Sequence, residues 1–157
     1  MKKILHNISI RVFEKKSENI EDIKKVFKQI LPIDFKKEKI IIKKETVEGL
    51  NQKTINIIHI KTSKKRHNKM ILDNIFNNLD DKDKNKLYQE KNKRIDQKGN
   101  FYIRLDKKQL IKNIYKITDG GDCFHFTIKI AAYPLNKEKI NEALELLFEN
   151  MGYKKNN

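Results

Sequence analysis

The chain has 157 residues, and its 36 Lys plus Arg against 21 Asp plus Glu give a formal charge of +15 at neutral pH. That length predicts one domain, 1–157, within the usual range of about 100–200 residues. The 38% hydrophobic content is low for a globular protein but above the disordered range. A single cysteine, Cys123, excludes an internal disulfide and a thiolate zinc centre. No apolar run approaches the roughly 18 residues of a membrane span, and the stretch from Met1 to His6 turns polar too soon for a signal peptide. The expectation is a cytoplasmic protein with no membrane partner. Thirty-two of the 36 basic residues are Lys, alongside abundant Ile and Asn. A-rich codons raise Glu as well as Lys, so the positive surplus outruns codon bias and favours a polyanionic partner.

From Ile4 to Phe13 the residues alternate, Ile4, Ile8, Ile10 and Val12 on one side and Asn7, Ser9 and Arg11 on the other, the period of a half-buried strand. Ser17 or Asn19 can cap a helix carrying Ile20, Ile23, Phe27, Ile30 and Leu31 at helical spacing, and Pro32 stops it. Lys39 to Thr46 and Thr54 to Thr62 read as strands of a hairpin around Gly49. Ser63 can cap the next helix, with Met70, Ile71, Ile75, Phe76 and Leu79 as its apolar stripe. Asp80 with Asp83 marks the start of another, running to Asp96, rich in Lys and therefore mostly solvated, with Gly99 as its end.

Phe101, Ile103 and Leu105 alternate with Tyr102, Arg104 and Asp106 in the next strand, and Asp106 with Gln109 predicts a short capped helical turn. Ile114 to Thr118 and Cys123 to Ala131 read as strands flanking the turn Asp119-Gly120-Gly121-Asp122. In the second, Phe124, Phe126, Ile128 and Ile130 oppose Cys123, His125, Thr127 and Lys129. A last helix runs from Asn136 to about Met151, with Ile140, Ala143, Leu144, Leu147, Phe148 and Met151 buried. The predicted fold is α+β: a single domain of order β-α-β-β-α-α-β-(α)-β-β-α, a mixed, mostly antiparallel sheet with its helices mainly on one face.

Catalytic motifs for nucleotide, hydrolase or zinc-protease chemistry are missing from the sequence. Cys123 and His125 share a strand face as a nucleophile and base would, yet no orienting group lies near them in sequence, and lone cysteines are usually inert. Asp106, Asp119 and Asp122 could gather around magnesium, although capping and turn roles already explain them. No cofactor is implied.

The basic features say more. Lys64, Lys65 and Arg66 stand at a helix N-terminus, where free N–H groups and the dipole favour a phosphate, or else form an ordinary solvated turn. Arg104, His125, Thr127 and Lys129 form a polar, cationic strand face able to meet a sugar-phosphate backbone unless a helix covers it, with Tyr102 or Tyr133 for base stacking.

The run Gly99 to Gln109 containing Arg104-Leu105-Asp106-Lys107, then Asp119-Gly120-Gly121-Asp122, then Phe124-His125-Phe126-Thr127-Ile128-Lys129 and Ala132-Tyr133-Pro134, resembles an archaeal family of small RNA-binding proteins described as predicted exosome subunits. The resemblance implies a fold akin to the ribosomal protein that binds 5S rRNA. It implies RNA as partner, either ribosomal RNA or exosome substrates, with exosome or ribosome proteins as neighbours. The alternatives are a metal-dependent RNA-processing enzyme built on the three aspartates and a protein-interaction adaptor without RNA affinity.

Overall fold

The computed structural model describes residues 3–153; Met1 and Lys2, which enter the signal-peptide argument, lie outside them. In chain order come β1 (Leu5–Glu14), α1 (Ile20–Ile30), β2 (Lys43–Glu48), β3 (Thr54–Thr62), α2 (Lys65–Asn78), α3 (Asp81–Gln89), β4 (Asn100–Asp106), α4 (Lys107–Ile111), β5 (Cys123–Ile130) and α5 (Lys137–Asn150). The strands form one five-stranded sheet in the order β2-β3-β1-β5-β4. Every pairing in it is antiparallel.

The period-2 patterns decide which face is covered. Ile8, Ile10 and Val12 of β1 stand in register with Thr62, Ile60 and Ile58 of β3 and with Ile128, Phe126 and Phe124 of β5. Phe101, Ile103 and Leu105 of β4 extend that face, and all twelve side chains are buried. The helices close over it with stripes at helical spacing: Ile23, Val26, Phe27 and Ile30 from α1, Ile71, Leu72, Ile75 and Phe76 from α2, Ile140, Leu144, Leu147 and Phe148 from α5. Edge-to-face ring pairs, Phe27 with Phe124 and Phe76 with Phe148, join helix to sheet and helix to helix. The caps fall where short polar side chains can reach a free amide: Asn19 on α1, Asp80 on α3, Asp106 on α4 and Asn136 on α5.

Four expectations are corrected. β2 begins at Lys43, since Lys39 has φ 60° and residues 35–39 form a turn in which Ile40 N–H bonds Phe35 O. Ser63 does not cap α2; Lys64 takes that position without a side-chain bond, and the Thr62 hydroxyl meets Asn68 instead. α3 ends at Gln89, and residues 90–94 continue as turns. Its Leu87 and Tyr88 are buried and Lys84 and Lys86 only half exposed, so it is less solvated than its lysines imply.

The fourth is the expected strand Ile114 to Thr118, which makes a single bridge, Ile117 to Leu105 on β4. Thr118 N–H bonds the Arg104 carbonyl at 3.0 Å and Asp106 N–H the Lys116 carbonyl at 2.9 Å, while the N–H of Ile117 points away from β4 to the Asp83 carboxylate in the first turn of α3 at 2.9 Å. Residues 119–122 are consequently a connection that crosses to β5 and not a hairpin turn. Among the described residues no helix is long and apolar enough to cross a membrane.

Candidate nucleic-acid interface

The face opposite the helices is the polar side of the same alternation, and the register lines its residues into rows. Lys43 of β2 pairs with His59 of β3, His59 with Arg11 of β1, Arg11 with His125 of β5, and His125 with Arg104 of β4. One row of five basic or imidazole side chains therefore crosses every strand, over four strand spacings of about 4.8 Å, or about 19 Å. The next row holds Lys61, Ser9, Thr127 and Tyr102, and a third holds Asn7, Lys129 and Asn100. Among the described residues Arg11, Lys43 and Lys61 are exposed and carry no ion pair. The Arg104 guanidinium donates only to the carbonyl of Asp119, at 3.3 Å, and Lys129 donates to the carbonyl of Lys98. Glu45 of β2 opposes the row at one end, 3.0 Å from His59 Nε2, and Asp106 lies on the same side of β4 as Arg104.

At the β4 edge the face becomes a shaped site. The Tyr102 and His125 rings lie stacked, 9° from parallel with centroids 5.4 Å apart. Tyr102 is fixed by donating its hydroxyl to Asp96 Oδ2 at 2.6 Å. Asp96 also accepts from the backbone N–H groups of Lys98 and Asn100 and from the Asn100 amide. Gly99, at φ 83°, makes this turn possible; a Cβ there would lie 3.4 Å from the Ile130 carbonyl. Burial alone would raise the Asp96 carboxyl, but these hydrogen bonds outweigh it and hold the group at about 2. For His125, burial and then the charges of Arg104 and Arg11 hold the imidazole below its ordinary value, which keeps it neutral at neutral pH.

The Asp96 turn gives a stability prediction. A drop from 3.8 to about 2 corresponds to roughly 2 kcal/mol. Because the folded-state value is depressed, that contribution is present above the unfolded value and disappears as pH falls from about 4 through 2. Asp96→Asn should cost about 2 kcal/mol in urea unfolding at pH 7 and flatten the acid limb of the stability curve. A variant as stable as the parent at pH 7 would contradict it.

Of the residues expected from the sequence, Tyr102, Arg104, His125 and Lys129 come together on the open face. Lys64, Lys65 and Arg66 do not join them: Lys64, Arg66 and the buried His67 converge on Glu38, so that turn's charge is partly neutralised. Tyr133, 94% exposed, lines a different cleft with Lys139 and Glu142 of α5. The three aspartates have separate roles. Asp106 caps α4, Asp119 meets Lys86 and Arg94, and Asp122 meets Lys107 and Lys15. Cys123 is buried, and burial raises its thiol further from a reactive thiolate.

Arg11, Lys43, His59 and Lys61 were missed by the sequence reading. Arg11 was placed on the polar side of β1, but its alignment with Arg104 needs the strand order. That order rests on long-range pairing.

The chain resembles known proteins over most of its length. The chain is 27% identical over 139 residues to the RNA-binding protein PAB1135 of Pyrococcus abyssi, covering 88% of this chain and 90% of that one. Two solved structures of DUF54 proteins share the fold. The one from Archaeoglobus fulgidus has a TM-score of 0.80 at 19% identity, covering 92% of this chain and 99% of its own. The one from Methanothermobacter thermautotrophicus has a TM-score of 0.74 at 21% identity, with 92% and 98% covered. A family model described as RNA binding matches residues 7–130, a span that begins in β1, ends with β5 and holds every strand of the open face, and the chain belongs to that RNA-binding family.

Proposed function

We propose that the protein binds RNA on the open face of its sheet and acts by binding, without catalysing a reaction. The observation that carries this is the row Lys43–His59–Arg11–His125–Arg104, flanked by Lys61 and Lys129. Cations held on a rigid sheet lose little freedom on meeting phosphates, and a surface about 19 Å wide admits several of them. The match to an RNA-binding family and the relative named an RNA-binding protein support the reading. The motif resemblance around Arg104-Leu105-Asp106-Lys107 and Phe124-His125 extends it to ribosomal RNA or exosome substrates in the cytoplasm. Crosslinking in the native cell followed by sequencing would separate the two RNA classes.

The electrostatic part of the proposal has its own test. If Arg11, Lys43, Lys61, Arg104 and Lys129 each neutralise one phosphate, log affinity for single-stranded RNA should fall against log salt with a slope of about −3.5, from about 0.7 per contact. Fluorescence anisotropy across a salt series measures it. Arg104→Ala and Lys129→Ala should each reduce the slope by less than about one. A slope near zero would contradict the surface.

A further inference from the structure

The β4 end of the open face carries a cleft of about 580 Å³ lined by Tyr102, His125, Arg104, Arg94, Lys93, Glu90 and Asp119. We propose, on the basis of the RNA-binding reading above, that this cleft receives one unpaired purine of a single-stranded RNA. The purine lies against the Tyr102–His125 rings, with its hydrogen-bonding edge turned to Asp119, Glu90 and Arg94. Arg104 and Arg11 hold the flanking phosphates.

The cleft mixes both signs of charge, which suits the donors and acceptors of a base edge. Arg94 Nη2 lies 3.4 Å from Glu90 Oε2 and 3.8 Å from Asp119 Oδ1, so its charge is balanced from within. Lys86 reaches the other oxygen of Asp119 at 3.3 Å. Lys93 and Arg104 add positive charge at the cleft, yet Glu90 and Asp119 would face an entering phosphate as well, whereas a planar neutral ligand finds both acceptors and donors. Guanine offers the matching set on its pairing edge, N1–H and the N2 amino group as donors for a carboxylate and the O6 carbonyl as acceptor for a guanidinium. In a duplex that pairing edge is already occupied, so the cleft fits an unpaired nucleotide.

The ring platform points the same way. The Tyr102 and His125 rings stack on each other across adjacent strands, so a base can extend the stack on an outer ring face, and a neutral imidazole stacks without bringing a charge. The bond from Tyr102 to Asp96 and the register of β4 with β5 hold the platform before any ligand arrives. Arg104 and His125 also border a second hollow of about 120 Å³ with Arg11, Phe13, Ile57 and Cys123. A strand leaving the first cleft along the basic row passes directly over it.

The test compares labelled oligouridylate of about ten nucleotides, within the site sizes of single-strand binders, with the same oligomer carrying one central guanosine and with that oligomer annealed to its complement. Anisotropy should show the guanosine oligomer binding roughly fivefold or more tighter than oligouridylate, as one aromatic-stacked base contributes. The duplex should bind more weakly than the guanosine strand. Tyr102→Ala and Asp119→Asn should each bring the ratio near one, and the uridylate affinity of Asp119→Asn should stay within about twofold because its phosphate contacts are intact. Tyr102→Phe, which keeps the ring and drops the bond to Asp96, should retain the preference. Asp119 is exposed, so its variant reports even if Tyr102→Ala folds poorly. Equal affinity of wild type for the two single strands, a preference that survives in both Tyr102→Ala and Asp119→Asn, or duplex binding as tight as the single strand would overturn the cleft while leaving RNA binding standing. Failure to bind any of the three RNAs would overturn both.

Discussion

Lys107→Ala should cost about 3 kcal/mol in urea unfolding at neutral pH, the low end for removing one partner of a buried ion pair. Lys107 is the first residue of α4 and its side chain is only 1% exposed. Its ammonium reaches the Phe13 carbonyl at 2.6 Å, Asp122 Oδ1 at 2.8 Å and Glu18 Oε1 at 3.0 Å. One group thus ties the end of β1, the approach to α1, the start of α4 and the loop that enters β5. Hydrogen bonds to Phe13 and Glu18 together with the ion-pair contact to Asp122 surround the ammonium, which is what lets a charge sit this deep. Truncation would leave a cavity and two carboxylates with only the exposed Lys15, 3.5 Å from Asp122, as counter-charge. Those carboxylates are 22% and 36% exposed, so partial rehydration keeps the loss at the low end.

Lys107→Met, which fills the space but carries no charge, separates packing from electrostatics. It should remain clearly less stable than the parent and should raise the Asp122 carboxyl, which Lys107 chiefly holds below its ordinary value. Unchanged stability in Lys107→Met would contradict the ion network. A loss of about 3 kcal/mol would be a large share of the 5–15 kcal/mol typical of a domain.

The two faces of the sheet explain what the sequence reveals. β1, β4 and β5 alternate cleanly because one side is buried under helices and the other is open, and that contrast is written residue by residue. α1 and α5 were equally plain, each with a polar cap and an apolar stripe. β2 was misplaced because it is an exposed edge strand with no buried side. Its true start depends on pairing with His59, which local pattern does not carry. The segment 114–118 has the composition of a strand but makes one bridge to β4, and its Ile117 amide turns the other way to Asp83, 34 positions earlier in the chain.

Lys107 was legible only as part of an Arg-Leu-Asp-Lys motif and a capped turn, since lysine is almost never expected inside a core. The candidate site divides the same way. Arg104, His125, Lys129 and Tyr102 lie on two strands whose faces can be read directly, so two of the five residues of the row, Arg104 and His125, were visible. The other three, Arg11, His59 and Lys43, join it only once β1 is known to sit between β3 and β5.

Reversing the charge at the centre and one end of that row should have the largest effect on binding. Arg11→Glu with Arg104→Glu removes two charge-assisted contacts, each worth about 1.5–3 kcal/mol, and puts two repulsive charges in their place. The expected loss is about 3 kcal/mol at least, a roughly hundredfold weaker Kd. Both side chains are exposed and lie on the uncovered face, so the double variant should unfold at nearly the parent's urea midpoint. The matched control is Lys82→Glu with Lys84→Glu on α3, which makes the same change in net charge away from the sheet face. Anisotropy of one labelled single-stranded RNA with the parent and the two charge-matched double variants, at a single salt concentration, decides the matter. The account predicts a roughly hundredfold loss for the Arg11 and Arg104 variant and a loss of under about tenfold for the α3 variant. Equal losses, or a larger loss for the α3 variant, would mean that net charge or the helix binds the RNA and that the sheet face does not.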